Sequence, residues 1–231
     1  MPRSPRLEYP GALYHVTARG VQQADIFFDD DDRRALLKLL ARALTEGEAH
    51  AFAYCLMSNH YHFVLQTRLS NLSTLMQRVN SAFSQSVNRR HGRCGHLLEG
   101  RFKAVLVDRD NYLLEVCRYV DLNPVRAGLV AAPSQWRWSS YTAHTGGAPA
   151  PAWLATSEVH DILTGQSAET DSQVRAAQRA YADWVSAGRG VRLWNASLRD
   201  GLYLGDEAFV ERVKAQGLPP GIGVRPGLMP Q

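Results

Sequence analysis

The chain has 231 residues, of which 45% are hydrophobic and 21% charged, and its formal net charge is +4. These proportions are ordinary for a globular protein, and they exclude wholesale disorder, a collagen-like fibre and a disulfide scaffold. No apolar run approaches the roughly 20 residues that a membrane helix needs, and no signal-peptide core follows the basic N-terminus. Three cysteines without a C-x-x-C pair predict reduced thiols and a cytoplasmic protein.

Strand and helix patterns alternate along the first half of the chain. The patterns predict strands over 13–19, 52–57, 60–66 and 102–107, and helices over 30–46, 71–89 and 111–122. The order β-α-β-β-α-β followed by a helix predicts an α+β, ferredoxin-like fold, with helices on one face of the sheet and the other face free for a site. Only Ser58 and Asn59 separate the second and third strands, which should pair as a tight hairpin. We expect Asp110 to cap the third helix and Pro124 to end or kink it.

Beyond residue 130 the patterns are weaker, and the predicted organisation is coarser. A first domain is placed over 1–144, a linker over 145–152, a small helical C-terminal appendage over 153–216 and a disordered tail over 217–231. Within the appendage, helices are predicted over 153–165, 172–187 and 206–215.

The charge is unevenly distributed. Residues 25–67 carry seven acids and four bases, whereas residues 68–109 carry eight bases and two acids. A basic segment flanked by neutral or acidic sequence indicates a localised phosphate-binding surface. A solvated helix face accounts for the same charges equally well.

Two histidines stand two residues apart on the third predicted strand. Strand alternation directs His60 and His62 to one face, about 7 Å apart at the backbone, and directs Tyr61 to the opposite face toward the core. Two imidazoles in this arrangement can reach one metal ion. A structural histidine pair fits the same pattern, so His-x-His alone leaves both interpretations open.

The third predicted helix carries Tyr119 and Asn123, which are four residues apart and therefore share one helix face. Tyr119 falls at the border of the apolar stripe of this helix. An aromatic residue at the rim of the core and a capping Asn before Pro124 would explain both residues without any chemistry. The alternative is that this helix supplies the second half of a site that begins with the histidine pair.

Longer motifs surround both the histidine pair and the helix that carries Tyr119. The segment 57–65, which contains His60-Tyr61-His62, resembles the HUH motif (His, hydrophobic residue, His) of single-tyrosine DNA transposases. The segments 118–130 and 136–141 resemble the tyrosine-bearing helix and the stretch after it in the REP-associated branch of that family, and 203–212 is similar to a C-terminal motif of longer members. The resemblance is convincing over residues 9–141.

This resemblance implies a metal-dependent transposase that nicks and joins single-stranded DNA near a hairpin, in DNA transposition and recombination. By position, Tyr119 would be the nucleophile that forms a 5′-phosphotyrosine intermediate, and His60 and His62 would be metal ligands. Asn123 matches the polar residue that completes the metal site, although the better-studied branch has glutamine there. The implied cofactor is Mg²⁺ or Mn²⁺, of which Mn²⁺ suits imidazole ligands better.

The expected partner is single-stranded DNA that contains a REP-like hairpin. The candidate contacts to its backbone are the basic residues Arg19, Arg78, Arg89, Arg90, Arg93, Arg101 and Lys103. We expect no membrane partner, a location at the nucleoid when DNA is bound, and a monomer acting in cis rather than a dimer.

Two other functions fit part of the pattern. A domesticated, non-catalytic hairpin-binding or single-stranded-DNA-binding protein would keep the fold without the reaction. A hydrolytic zinc enzyme would use His60 and His62 to activate a water, but no H-E-x-x-H motif supports it. Formation of a covalent protein–DNA adduct distinguishes the transposase from both.

Overall fold

The fold is built on one mixed sheet of five strands in the order β2-β3-β1-β4-β5. The computed structural model describes residues 7–188 and 203–215; the tail predicted over 217–231 lies outside this range. The strands are β1 (Leu13–Arg19), β2 (Ala49–Leu56), β3 (His60–Thr67), β4 (Lys103–Val107) and β5 (Tyr203–Leu204). The helices are α1 (Asp30–Glu46), α2 (Leu72–Arg90), α3 (Arg109–Asp121), α4 (Asn123–Arg126), α5 (Tyr141–His144), α6 (Thr156–Thr164), α7 (Asp171–Ala187) and α8 (Glu207–Ala215), with 3-10 turns at Val21–Gln23 and Pro133–Gln135.

The β-α-β-β-α-β core confirms the predicted ferredoxin-like, α+β fold. The central strand β1 pairs antiparallel with β3 on one side and with β4 on the other. The predicted hairpin is also confirmed, since the amide of Met57 donates to the carbonyl of His60 across the turn. Strand β2 begins at Ala49 and not at the predicted residue 52, and its pairing with β3 shifts register at a bulge between Ala51 and Ala53.

The two long helices α1 and α2 cover one face of the sheet. Asp29 caps α1 by accepting hydrogen bonds from the amides of Asp31 and Asp32, which satisfies two donors at the helix start. The leucines of α1 and the predicted apolar stripe of α2 are buried against Tyr61 and Phe63 of β3. This face forms the larger core.

The opposite face of the sheet is not free, contrary to the sequence-based expectation. Helix α3 packs on it and forms a second core, in which Val116 and Val120 meet Val64 of β3. Side chains that β1 and β3 direct to this face therefore lie between the sheet and α3, which covers it.

The ends of α3 differ from those predicted. The helix begins at Arg109, after Asp108, so Asp110 lies within its first turn and does not cap it. It ends at Asp121, and Pro124 occupies the first turn of the short helix α4. Proline is tolerated there because the first turn of a helix does not need its amide hydrogens. The prediction that this proline marks the end of the helix is confirmed.

The C-terminal helices are packed against the sheet and its helices. Val159 of α6 and Tyr181 of α7 share the second core with α3. Strand β5, which was not predicted, pairs in parallel with the end of β4, and Phe209 of α8 joins the first core. No helix in the described ranges is both long and apolar enough to cross a membrane.

A buried carboxylate ties α3 to the helices that follow it. The carboxylate of Asp121 accepts hydrogen bonds from the hydroxyls of Ser140 (2.7 Å) and Tyr181 (2.8 Å). One turn earlier on the same outer side, the guanidinium of Arg118 lies 4.1 Å from the ring centre of Trp184. Both contacts join the tyrosine-bearing helix to α7.

Burial of Asp121 makes the stability of this junction depend on pH. Burial raises the pKa of the carboxyl from 3.8 to about 7, so the folded protein holds this proton more tightly than the unfolded chain. The contribution of Asp121 to stability is therefore complete below about pH 4 and is lost as pH rises to about 7. Urea unfolding across this range should show that decline. The Asp121→Asn variant should show a flatter profile, and an unchanged pH dependence in that variant would contradict the assignment.

Candidate active site

The strand β3 presents His60 and His62 on the α3 side of the sheet. Their ring centres lie 5.0 Å apart, with the planes nearly perpendicular. Tyr61 points to the other core, where its hydroxyl donates to the side-chain oxygen of Asn80 at 2.7 Å. The predicted alternation is thus confirmed, and Tyr61 fixes the strand from the side of the sheet that α1 and α2 cover.

A third histidine, which the sequence analysis did not identify, contacts this pair. His15 lies on β1, and its Nε2 is 2.9 Å from Nδ1 of His62. The two rings stack at 5.1 Å between centres. Full burial lowers the pKa of His15 to about 3, so this ring is neutral.

The hairpin turn supplies a polar partner for His60. Nδ1 of His60 lies 2.6 Å from the side-chain oxygen of Asn59, whose amide nitrogen donates to the carbonyl of Gln23 at 2.9 Å. The loop that carries Gln23 is tightly folded against the turn. Gly20 at its start is required, because an added Cβ would overlap the carbonyl oxygen of Ala24.

Helix α3 brings Tyr119 to the same place. The side chain is 5% exposed, and its ring centre lies 6.0 Å from that of His62 and 5.8 Å from that of His15, edge-on to both. The guanidinium of Arg126, another residue that the sequence analysis did not identify, lies 5.0 Å from the tyrosine ring centre. Tyr119 therefore contacts the rings of His15 and His62 and the half-buried guanidinium of Arg126.

Asn123 lies one turn after Tyr119 and is fixed to it. The amide nitrogen of Asn123 donates to the backbone carbonyl of Tyr119 at 3.0 Å. By binding a carbonyl at the end of α3, Asn123 acts as a helix cap, which was one of the two interpretations that the sequence allowed. Because it uses the amide NH₂ group, the side-chain oxygen is the atom with which Asn123 could act as a ligand.

The chemistry of these donors fits a divalent ion. Two imidazoles and an amide oxygen form a mixed N/O set that suits Mn²⁺ and leaves positions for phosphate oxygens. Elsewhere in the described ranges, Asp29, Asp32 and His91 place possible ligand atoms within 4.8 Å of one another. The guanidinium of Arg90 donates hydrogen bonds there to Asp29 at 2.6 Å and to Asp32 at 2.7 Å, so a cationic side chain already balances the charge of these carboxylates.

Two of the predicted basic residues lie on the sheet face that carries the histidines. Arg19 on β1 is directly opposite His60 on β3. Thr17 is opposite His62 on one side and Lys103 of β4 on the other, so these side chains project from the same face. Arg19 also forms an ion pair with Glu99 at 2.5 Å.

The other predicted basic residues lie elsewhere. Arg78, Arg89 and Arg90 are on α2, which covers the opposite face of the sheet. Arg93 lies in the following loop, with its guanidinium 5.0 Å from the ring centre of Phe28, and Arg101 is exposed just before β4. The structure thus brings Arg19 and Lys103 to the candidate site and leaves the arginines of α2 remote from it.

The comparisons identify the class of protein to which this sheet, its histidines and its tyrosine helix belong. Residues 9–123 match the family model described as "Transposase IS200 like", and the chain belongs to this family. The span runs from just before β1 to Asn123 and so includes both halves of the site. No curated protein matches the sequence.

One solved structure supports the fold. A REP-associated tyrosine transposase bound to a REP hairpin superimposes with a TM-score of 0.55 at 15% identity, over 67% of this chain and 92% of that chain. The tRNA(His) guanylyltransferase of Saccharomyces cerevisiae aligns over 84% of each chain at 10% identity, but its TM-score of 0.41 is too low to support an inference.

The placement of Arg90 leads to a prediction about stability. Its guanidinium neutralises Asp29, Asp31 and Asp32 at the start of α1. The Arg90→Gln variant should therefore have a lower Tm, because three acids would be left without this counter-charge. The loss should shrink in high salt, which screens the repulsion. Thermal melts at low and high salt measure both effects; an unchanged Tm at low salt would refute this role.

Proposed function

We propose that this chain is a REP-associated transposase that nicks and joins single-stranded DNA through Tyr119. The observation that supports this most strongly is the contact of Tyr119 with His62, whose ring centre lies 6.0 Å from that of the tyrosine in the same chain. A nucleophile beside a pair of metal-binding residues suits phosphoryl transfer, which depends on positioning and charge stabilisation.

The proposed reaction is a transesterification. The Tyr119 oxygen attacks a backbone phosphorus, the bond from phosphorus to the 3′ oxygen breaks, and a 5′-phosphotyrosine forms. The phenol loses its proton and the departing 3′ oxygen gains one, so atoms and charge balance. Another 3′-hydroxyl can attack the phosphotyrosine in the same way, which joins strands and restores the tyrosine.

His60, His62 and Asn123 are the residues that would hold Mg²⁺ or Mn²⁺. When bound, the ion supplies Lewis acidity toward the phosphate oxygens. Arg126 provides a further positive charge beside the tyrosine ring, which favours the phenolate that forms as the proton leaves. The same residue can interact with the phenolate again when the phosphotyrosine is resolved.

Two features favour action by one chain on its own. The contacts of Asp121 with Ser140 and Tyr181 fix α3 to the rest of the same chain. The Tyr119 ring is also packed against two histidines of that chain. We therefore propose that Tyr119 acts in cis.

The proposed substrate is a single strand next to a hairpin. The similar solved transposase is bound to a REP hairpin, and Arg19 and Lys103 offer positive charge on the sheet face that carries the histidines. Charges at this position would hold phosphates on either side of the scissile bond. A protein that acts on such chromosomal sequences would be found at the nucleoid.

The covalent intermediate provides the first test. Tyr119→Phe should abolish the protein–DNA adduct on a denaturing gel, while affinity for the hairpin substrate remains within about twofold, because the ring and its packing are retained. Chelation of the metal before DNA is added should prevent the unchanged protein from forming the adduct. An undiminished adduct in the variant would disprove the role of Tyr119, and cleavage without any adduct would favour the hydrolytic zinc enzyme.

The position of the DNA strand provides a second test. In a Tyr119→Phe background, Arg19→Gln and Lys103→Gln should each weaken binding of single-stranded DNA. Each should also lower the slope of log affinity against log salt by roughly 0.7, the value for loss of one phosphate contact to a single strand. Arg78→Gln, on the opposite side of the sheet, should have little effect. A greater loss with Arg78→Gln would place the DNA on α2 instead.

A further inference from the structure

The two histidines of the candidate site each have a polar partner at the same ring atom. Nδ1 of His60 contacts the side-chain oxygen of Asn59, and Nδ1 of His62 contacts Nε2 of His15. A neutral imidazole carries its proton on one nitrogen only, and the other nitrogen then has the lone pair that binds a metal. The partner at Nδ1 can therefore decide which nitrogen is available.

We propose that Asn59 and His15 are positioning residues. Asn59 keeps the proton of His60 on Nδ1, and His15 can accept the Nδ1 proton of His62 when a divalent ion binds, so that both Nε2 lone pairs are directed to that ion. The inference rests on the proposed metal-dependent function and adds to it the two residues that prepare the ligands. Partners of this kind, which orient a ligating histidine through its second nitrogen, are common at metal sites.

The contact of Asn59 with His60 allows only one arrangement of protons. The amide nitrogen of Asn59 donates to the carbonyl of Gln23, which identifies the atom facing His60 as the amide oxygen. An oxygen of this kind only accepts, so His60 must donate from Nδ1. The carbonyl of Gln23 holds the amide group of Asn59, and Gln22 and Gln23 in this loop have positive φ angles of 53° and 61°.

The contact of His15 with His62 has two possible arrangements, and metal binding selects one. If His15 carries its proton on Nδ1, its Nε2 accepts from His62, whose Nε2 can then bind the ion. In the reverse arrangement, the proton of His62 is on Nε2 and blocks coordination. The 2.9 Å contact between the two ring nitrogens fits either arrangement, because each arrangement places one N–H donor and one acceptor at this pair.

The tautomers can be measured directly. In protein with ¹⁵N-labelled histidine, we expect His60 to be protonated on Nδ1 both without metal and with Mg²⁺, and His62 to be protonated on Nδ1 when Mg²⁺ is bound. A His60 proton on Nε2 in the metal-free protein, or a His62 proton on Nε2 with metal bound, would overturn the proposal. Because the first measurement needs no metal, it can succeed even if the proposed function fails.

Metal affinity gives an independent readout. Asn59→Ala and His15→Phe should each weaken Mn²⁺ binding about tenfold, and Asn59→Asp, which keeps an accepting oxygen, should restore it. The matched control is His144→Phe. His144 is equally buried and bonds the carbonyl of Phe52 at 2.8 Å, away from the site.

The outcomes separate this inference from the proposed function. Unchanged Mn²⁺ affinity in Asn59→Ala and His15→Phe would overturn the inference and leave the metal site intact. If His15→Phe does not fold, the more exposed Asn59 decides through the comparison of its Ala and Asp variants. Failure of the unchanged protein to bind Mn²⁺, or Mn²⁺ binding that His60→Ala and His62→Ala leave unchanged, would refute the metal-dependent function itself.

Discussion

The pairing of β1 with β3 determines where the site is and how its residues are held. Because side chains alternate along β3, Tyr61 enters one core while His60 and His62 face the other. The register with β1 then places Arg19 opposite His60 and Thr17 opposite His62, with His15 one step further along. A shift of this pairing by one residue would turn the histidines into the α1–α2 core and expose Tyr61 to α3. The same backbone ladder thus specifies both the packing and the chemistry.

The tyrosine helix is held from two sides. On its inner side, α3 packs on the sheet, where Tyr119 touches His62 and His15. On its outer side, Asp121 and Arg118 contact α7. A reacting side chain on a helix that is fixed in this way can be placed more accurately than one on a loop. The C-terminal helices, which the sequence predicted as a small appendage, therefore support the element that carries the proposed nucleophile.

Local sequence patterns predicted the parts of this architecture that depend on local geometry. Alternation from 60 to 66 placed the histidines on one face, and the four-residue spacing placed Tyr119 and Asn123 together. His15 could not be found in this way, because its contact with His62 depends on how two strands 47 positions apart are paired. Charge counts have the same limit: the excess of bases over 68–109 does not show that Arg90 lies against the acids at the start of α1. Arg126 lies two residues after Pro124, and the helix end predicted there interrupts the helical period that would otherwise relate Arg126 to Tyr119.

The bulged strand β2 lies at one border of the sheet, and its outer side is occupied by irregular segments of the same chain. The amides of Ala51 and Leu56 donate to the carbonyls of Trp153 and Trp138, and the carbonyl of Tyr54 accepts from the amide of Ser140. An uncovered border strand is a template on which another polypeptide can extend the sheet. Here, such an addition would first have to break several backbone hydrogen bonds, each worth about 1 kcal/mol. The tryptophan-rich stretch after the tyrosine helix thus also acts as a barrier to strand exchange and aggregation along this border.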